Sequence, residues 1–311
     1  MSKITKRCRE APLSYKDISM FRQSEVYEHI CVDPITPVIG AEVSCVNLAQ
    51  ISLPDVLQEI HLALMRHQVL FFHNQDITPA EFSSWAGQFG RLRKARRAAF
   101  GLLEEAPEVA VIVNDKDRPP NVNHFHSDGI FRKQPEFASI LYSKEVPEYG
   151  GDTVFVSMTA AYEALSPDMK SYLAPKSATQ DFMKLHGSAT KARSWKGENA
   201  VRMKSMAKDH PPITHPIVRK HPVTGLPSLY VSESFTRCID GVTVDESNAK
   251  LLELYRHYER PEFQCRFRWR PNSIAFWDNR ATLHYAVADY WPQKRLMHRL
   301  TIETDALGSD G

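Results

Sequence analysis

Apolar positions recur along this chain at two different periods, and the switches between them lay out its architecture. From Ser52 to Gln68 the residues Val56, Leu57, Ile60 and Leu64 return at helical spacing, with Ser52 placed as a cap. The unbroken run Val69-Leu70-Phe71-Phe72 that follows has the length and composition of a buried strand. A second helix is predicted from Thr78, a capping hydroxyl followed by Pro79 at the first helical position and by Glu81 three residues after the cap. Phe82, Trp85 and Phe89 then share one face, and Gly90 is placed to end the helix. Further helices are predicted over 159–165 and 245–258, the latter with Leu251, Leu252, Tyr255 and Tyr258 inward.

Elsewhere the period is two. In 264–270, Cys265, Phe267 and Trp269 fall on one side and Arg266, Arg268 and Arg270 on the other. Short strands are predicted at 109–113, 138–142, 153–156, 228–231, 274–277 and 299–303. Many short strands separated by turn residues predict a mainly β, closed or sandwiched core with flanking helices. One stretch fits neither period: at 186–212, lysines and arginines crowd a segment with few large apolar groups. A long segment of this kind inside a compact domain is functional or merely solvated, and it is read here as a lid over a site. Residues 1–25 are polar and are expected to form a tail or a strap, leaving 26–311 as a single domain.

Composition narrows the function. With 311 residues the chain can bury a sizeable core, and 39 Lys+Arg against 37 Asp+Glu leave a formal charge of +2. Nucleic acid is therefore not an expected partner, and a charged substrate must be held locally. The basic run Arg93-Lys94-Ala95-Arg96-Arg97 is either a solvated loop or a lure for an anion. Cys8, Cys31, Cys45, Cys238 and Cys265 are odd in number and widely spaced, which argues against a disulfide framework or zinc knuckle and suits a reducing cytoplasm. No apolar leader or long apolar run is present, so neither secretion nor a membrane span is expected.

The candidate chemistry begins at Asn123-His124-Phe125-His126-Ser127-Asp128. His126 and Asp128, one residue apart, can both point into a barrel, and His284 offers a third ligand from a different strand. Two imidazoles and a carboxylate form the facial set that holds Fe(II) with positions left open. Arg295, eleven residues beyond His284, supplies a planar cation suited to a carboxylate. A hydrogen bond of His126 to Asp128 with no metal is the plainer alternative. His61, His67 and His73 are read as structural or surface histidines, and His124 as a residue of the pocket wall.

Together with Pro37–Val43, Arg66–Phe72, Gly150-Gly151-Asp152-Thr153, His221-Pro222 through Gly225 and Trp277-Asp278-Asn279-Arg280, these residues resemble the taurine dioxygenase family (TauD/TfdA). The resemblance covers most of the chain and implies a double-stranded β-helix, the jelly-roll or cupin-like core. It further implies dependence on Fe(II), with 2-oxoglutarate and O2 as cosubstrates. By position, Arg295 and Thr153 match the family residues that bind the far carboxylate of 2-oxoglutarate, and Arg299 matches the one that holds a sulfonate. Phe182 and Phe235 match aromatic positions lining the pocket. Val122 stands where taurine enzymes have asparagine, and at Ala95 their histidine is missing, so the expected substrate is a small organic anion other than taurine. Sulfonate, sulfate ester, carboxylate and phenoxyalkanoate are the candidate types. A zinc-dependent hydrolase and a non-catalytic cupin-like binding protein are the competing readings, neither of which needs Arg295 or Thr153. A homo-oligomer, dimer or tetramer, is the expected assembly.

Overall fold

The computed structural model describes residues 27–50, 53–95, 101–120, 122–186 and 197–308. In chain order the first strands are β1 (Cys31–Pro34), β2 (Ala41–Ser44), β3 (Val69–Phe72), β4 (Gly101–Leu103), β5 (Ala106–Asn114), β6 (Ala138–Glu145), β7 (Thr153–Ser157) and β8 (Ser177–Gln180). The remainder are β9 (Ile213–Pro216), β10 (Val218–Lys220), β11 (Pro227–Leu229), β12 (Thr236–Ile239), β13 (Gln264–Phe267), β14 (Ile274–Asp278), β15 (Thr282–Ala286) and β16 (Arg295–Ile302). The helices are α1 (Pro54–His67), α2 (Pro79–Gly87), α3 (Met158–Glu163), α4 (Pro167–Leu173), α5 (Phe182–His186), α6 (Gly197–Asp209) and α7 (Val244–Tyr258).

An eight-stranded sheet in the order β1-β2-β3-β14-β6-β16-β5-β4 forms one wall, and the three-stranded sheet β13-β7-β15 forms part of the facing wall. The central strands of the large sheet are buried on both faces, which is why they read as continuous apolar runs. On β3, Val69 and Phe71 join the core between the sheets, while Leu70 and Phe72 join the core under the helices. Likewise on β14, Ala275 and Trp277 point between the sheets and Ile274 and Phe276 toward the helices. Phe71 ties the walls together, stacking on Phe267 at 4.1 Å and meeting Phe155 edge-on at 5.7 Å. This is the jelly-roll arrangement with helices packed outside.

The local expectations hold at several points. Thr78 and Glu81 form a reciprocal capping box, and Cys265, Phe267 and Trp269 are buried beside exposed Arg266, Arg268 and Arg270. Helix α1 instead starts at Pro54, after a Leu53 cap with no side-chain hydrogen bond; Ser52, the predicted cap, lies outside the described residues. Helix α2 ends at Gly87 rather than at Gly90, and Leu252 of α7 is exposed, because the inward stripe there runs through Leu251, Leu254, Tyr255 and Tyr258.

One correction is larger. Cys31 and Cys45 form a disulfide, with Cα atoms 5.7 Å apart, because the antiparallel β1–β2 pairing places Cys31 opposite Ser44. Sequence spacing did not reveal that hairpin. The basic segment at 186–212 contains α6, and Met203 of that helix is buried with Ile130, Phe182, Tyr230 and Phe235, so this part packs against the body. Residues 187–196 of the segment and the 1–25 tail lie outside the described residues. No helix among the described residues is long and apolar enough to cross a membrane.

Candidate active site

His126 and His284 face each other across an antiparallel bridge and exchange both backbone hydrogen bonds, at 3.0 and 2.8 Å. Their rings lie 4.2 Å apart. His284 belongs to β15, which pairs with β7 on its other side, so its position is set by two neighbours at once. Asp128, two residues beyond His126, brings Oδ1 to 3.8 Å from His126 Nε2. One ligand atom from each of His126, Asp128 and His284 lies within 4.8 Å of the others.

The protonation states suit a cation. Burial lowers the proton affinity of both His126 and His284, and in His284 the neighbouring His126 adds to the effect. Burial alone would raise Asp128, but Arg299, His284, His126 and a hydrogen bond from Ser139 outweigh it and hold the carboxyl well below its usual range. The result is two neutral imidazoles and one carboxylate in mutual contact, which is what a divalent ion requires of its ligands. His126 Nδ1 lies 3.0 Å from the His124 carbonyl, an acceptor, so Nδ1 carries the proton and the Nε2 lone pair is left for a metal. His284 Nδ1 is buried with no hydrogen-bond partner among the described residues. The donor set therefore fits a ferrous ion.

Arg295 and Arg299 share the inward face of β16, four residues and therefore about 13 Å apart along the strand. They differ in company. Arg299 places Nη2 2.6 Å from Asp128 Oδ2. Arg295 is buried among Trp269 and Tyr290, and its Nε and Nη2 have no hydrogen-bond partner among the described residues. Burial depresses its proton affinity, opposed by the nearby Tyr290 hydroxyl. Such a group calls for an anion, because an uncompensated buried charge is costly. Thr153 is buried on β7, where its hydroxyl accepts from Trp269 Nε1 at 3.0 Å, leaving its own O–H available to donate. Gly151 has φ +71°, and a Cβ there would stand 3.2 Å from the Tyr290 ring and 3.6 Å from Arg295 Cδ, which explains the second glycine of the motif.

A cavity of about 330 Å³ opens on the other side of Asp128, with His124, His126, Asp128 and Arg299 in its wall. Phe131, Phe182, Leu185, Met203, Met206 and Phe235 make much of its lining apolar. Phe131 lies 5.1 Å from Phe182 and 4.9 Å from Phe235, so these rings form one continuous floor. Val122 and Ala95 also border the cavity, as the sequence comparison with taurine enzymes required. From the basic run, Arg93 and Lys94 reach this wall, and Arg93 is held by ion pairs to Glu136 and Glu303. Residues 96–100 lie outside the described residues.

Sequence reasoning missed the supports. Asp278 and Arg280 of the Trp-Asp-Asn-Arg motif form a buried network in which Asp278 accepts from His221 at 3.0 Å and from Arg280 at 2.7 Å. Arg280 continues to Asp305 at 2.9 Å, and Asp305 to His61 at 2.9 Å. These contacts pin the turn that leads into β15 and hence His284. The recurrence of His221 and Asp278 among the quoted motifs was the available signal, but their pairing was not visible in it.

A jelly roll with a His-Asp-His cluster, and a buried arginine on the strand face that also carries the cluster's own arginine contact, defines a class of cosubstrate-dependent oxygenases. The chain belongs to the taurine catabolism dioxygenase TauD, TfdA family, which it matches over residues 32–301. It is 32% identical over 293 residues to an alpha-ketoglutarate-dependent sulfate ester dioxygenase of Pseudomonas putida, covering 90% of this chain and 92% of that relative. An alkylsulfatase of Acinetobacter baylyi is 31% identical over 271 residues, covering 86% of this chain and 83% of the relative. A taurine dioxygenase crystal structure from Burkholderia xenovorans superposes with a TM-score of 0.75 at 34% identity, covering 91% of this chain and 93% of that one.

Proposed function

We propose that this protein is an Fe(II)- and 2-oxoglutarate-dependent dioxygenase that hydroxylates a small organic anion with a sizeable apolar body. The observation that carries the reading is Arg295, a buried guanidinium whose Nε and Nη2 are unpartnered among the described residues, on the same inward face of β16 as the Arg299 that holds Asp128 of the His-Asp-His cluster. Neither a hydrolase nor a simple binding protein has use for it. His126, Asp128 and His284 would hold the iron, which when bound supplies activation of O2 at the expense of 2-oxoglutarate, yielding succinate and carbon dioxide. Arg295 would grip the far carboxylate of the cosubstrate through two parallel hydrogen bonds, with the Thr153 O–H as a further donor.

The chain's own residues then orient the substrate. Arg299, already half-neutralised by Asp128, offers its remaining donors to an anionic headgroup at the cavity wall. The apolar floor accepts the body and excludes water from the reacting carbon. A hydroxylated carbon that bears a sulfate ester, sulfonate or ether oxygen would then collapse. The relatives named as sulfate ester dioxygenase and alkylsulfatase support sulfate esters as the first class to try. The reading treats 26–311 as one catalytic domain, with α6 as part of a lid because Met203 and Met206 stand in the cavity wall.

The test is succinate release by purified protein given Fe(II), ascorbate and 2-oxoglutarate, across a panel of alkyl sulfates, alkyl sulfonates, phenoxyalkanoates and taurine. Substrate-stimulated succinate with an apolar anion, and little with taurine, is the expected result. Hydrolysis of the same esters with Zn(II) and no 2-oxoglutarate would overturn the reading.

A further inference from the structure

Three buried side chains form a hydrogen-bonded row that ends on the outer oxygen of Asp128. Trp277 Nε1 lies 3.0 Å from Asn279 Oδ1, Asn279 Nδ2 lies 3.1 Å from Ser139 Oγ, and Ser139 Oγ lies 2.7 Å from Asp128 Oδ2. The direction of every bond follows from chemistry. An indole N–H can only donate, so the Asn279 oxygen must accept and its NH2 must donate. The Ser139 hydroxyl, taking that N–H, turns its own proton onto the carboxylate. The sheet makes the row possible, since β14 and β6 pair Trp277 directly with Ser139, and Asn279 follows two residues later on the same side. A second tie acts on the same loop, because Ser127 Oγ donates to the Asn279 carbonyl at 2.7 Å.

Resting on the metal-site reading above, we propose that Trp277, Asn279 and Ser139 are positioning residues that hold Asp128 to a single metal-binding oxygen. Oδ2 is saturated by Ser139 and by Arg299, at 2.7 and 2.6 Å. Oδ1 is the oxygen that faces His126 Nε2. A carboxylate pinned in this way gives one ligand atom rather than two, which leaves the cation's other positions to a chelating cosubstrate and a gas molecule. Without the row, Asp128 can rotate and chelate through both oxygens or turn away. The Trp277, Ser139 and Asn279 side chains are all nearly inaccessible, so each bond of the row is made inside the protein and its loss leaves a buried polar group short of a partner.

Mn(II) titration of the purified protein, followed by calorimetry and by the electron paramagnetic signal of the bound ion, tests this without turnover. The parent should bind one equivalent, and Asp128→Ala should abolish binding. Ser139→Ala should weaken Mn(II) affinity about 10- to 100-fold, the usual consequence of losing an outer-shell partner. Ser139→Thr, which keeps the hydroxyl, should stay near the parent. Asn279→Ala should lower affinity too, and combining it with Ser139→Ala should add nothing, because Asn279 acts through the hydroxyl. Additive losses, or parent-like affinity in folded Ser139→Ala, would overturn the proposal while leaving the metal site standing. Failure of the parent itself to bind would remove both.

Discussion

The two inward arginines of β16 have the same chemistry and a shared strand face, yet they stand in opposite electrostatic states. Arg295 is buried with bare nitrogens among Trp269, Tyr290 and Gly151. Arg299 is a quarter exposed and already leans on Asp128. A buried guanidinium with unpartnered nitrogens suits one dianion held tightly. A guanidinium shared between a carboxylate and an open cavity suits a headgroup that varies. One end of the strand thus reads as built for the cosubstrate and the other for a class of substrates.

The strongest way to break the comparison is to remove what both ends serve. Asp128→Ala or His284→Ala should reduce substrate-stimulated succinate formation to background, with far-ultraviolet circular dichroism unchanged, since neither side chain belongs to the apolar core. Succinate formation at the parent's rate in either variant would sink the ligand assignment. Next in size is Arg295→Ala. Losing a buried bidentate partner costs roughly 2–5 kcal/mol, which should raise the 2-oxoglutarate requirement by between about 30-fold and a few thousand-fold. Mn(II) affinity should not move. A cosubstrate titration that overlays the parent's would show that another cation does this work.

How much of this was readable in the sequence follows the range of each interaction. His126 with Asp128, and Arg295 with Arg299, sit within a few residues of each other in the chain, so spacing alone suggests that each pair points the same way. The period-two alternation of 264–270 and the capping box at Thr78 are equally local. By contrast, Ser139 meets Asn279 across 140 positions and Asp305 meets His61 across 244, through tertiary contacts that no local window reveals. The Cys31–Cys45 pair failed for the same reason on a smaller scale, because the hairpin register decides it. Helix α6 was hidden by composition. Its charged residues dominate the pattern, and the few apolar ones that dock it find aromatic partners from distant segments.

At the Arg299 end a charge-preserving change sharpens the contrast. Arg299→Lys keeps a cation near Asp128 but loses the planar fork that can serve carboxylate and headgroup together. The KM for the anionic substrate should rise about 10-fold, consistent with roughly 1.4 kcal/mol lost at a partly exposed site. The 2-oxoglutarate dependence should remain close to the parent's. A shift in the cosubstrate curve as large as that in the substrate curve would mean the two ends are not separate.

The smallest effect is expected at the apolar side chains of the cavity wall. Met203 reaches from α6 into the apolar floor beside Phe182 and Phe235 and is almost fully buried. A thioether there gives a tail surface without specifying its shape. Met203→Ala should cost about 1 kcal/mol for substrates whose apolar body extends that far, read as a roughly fivefold rise in KM. Substrates with the same headgroup and only one or two carbons should be unaffected, because they end before the floor begins. A series of linear alkyl sulfates of increasing length separates the cases, since the ratio of variant to parent KM should be flat for the short members and then climb. An equal penalty at every length would mean that Met203 props up the fold around α5 and α6 instead of touching the substrate, and the apolar end of the cavity would lose its role in selecting it.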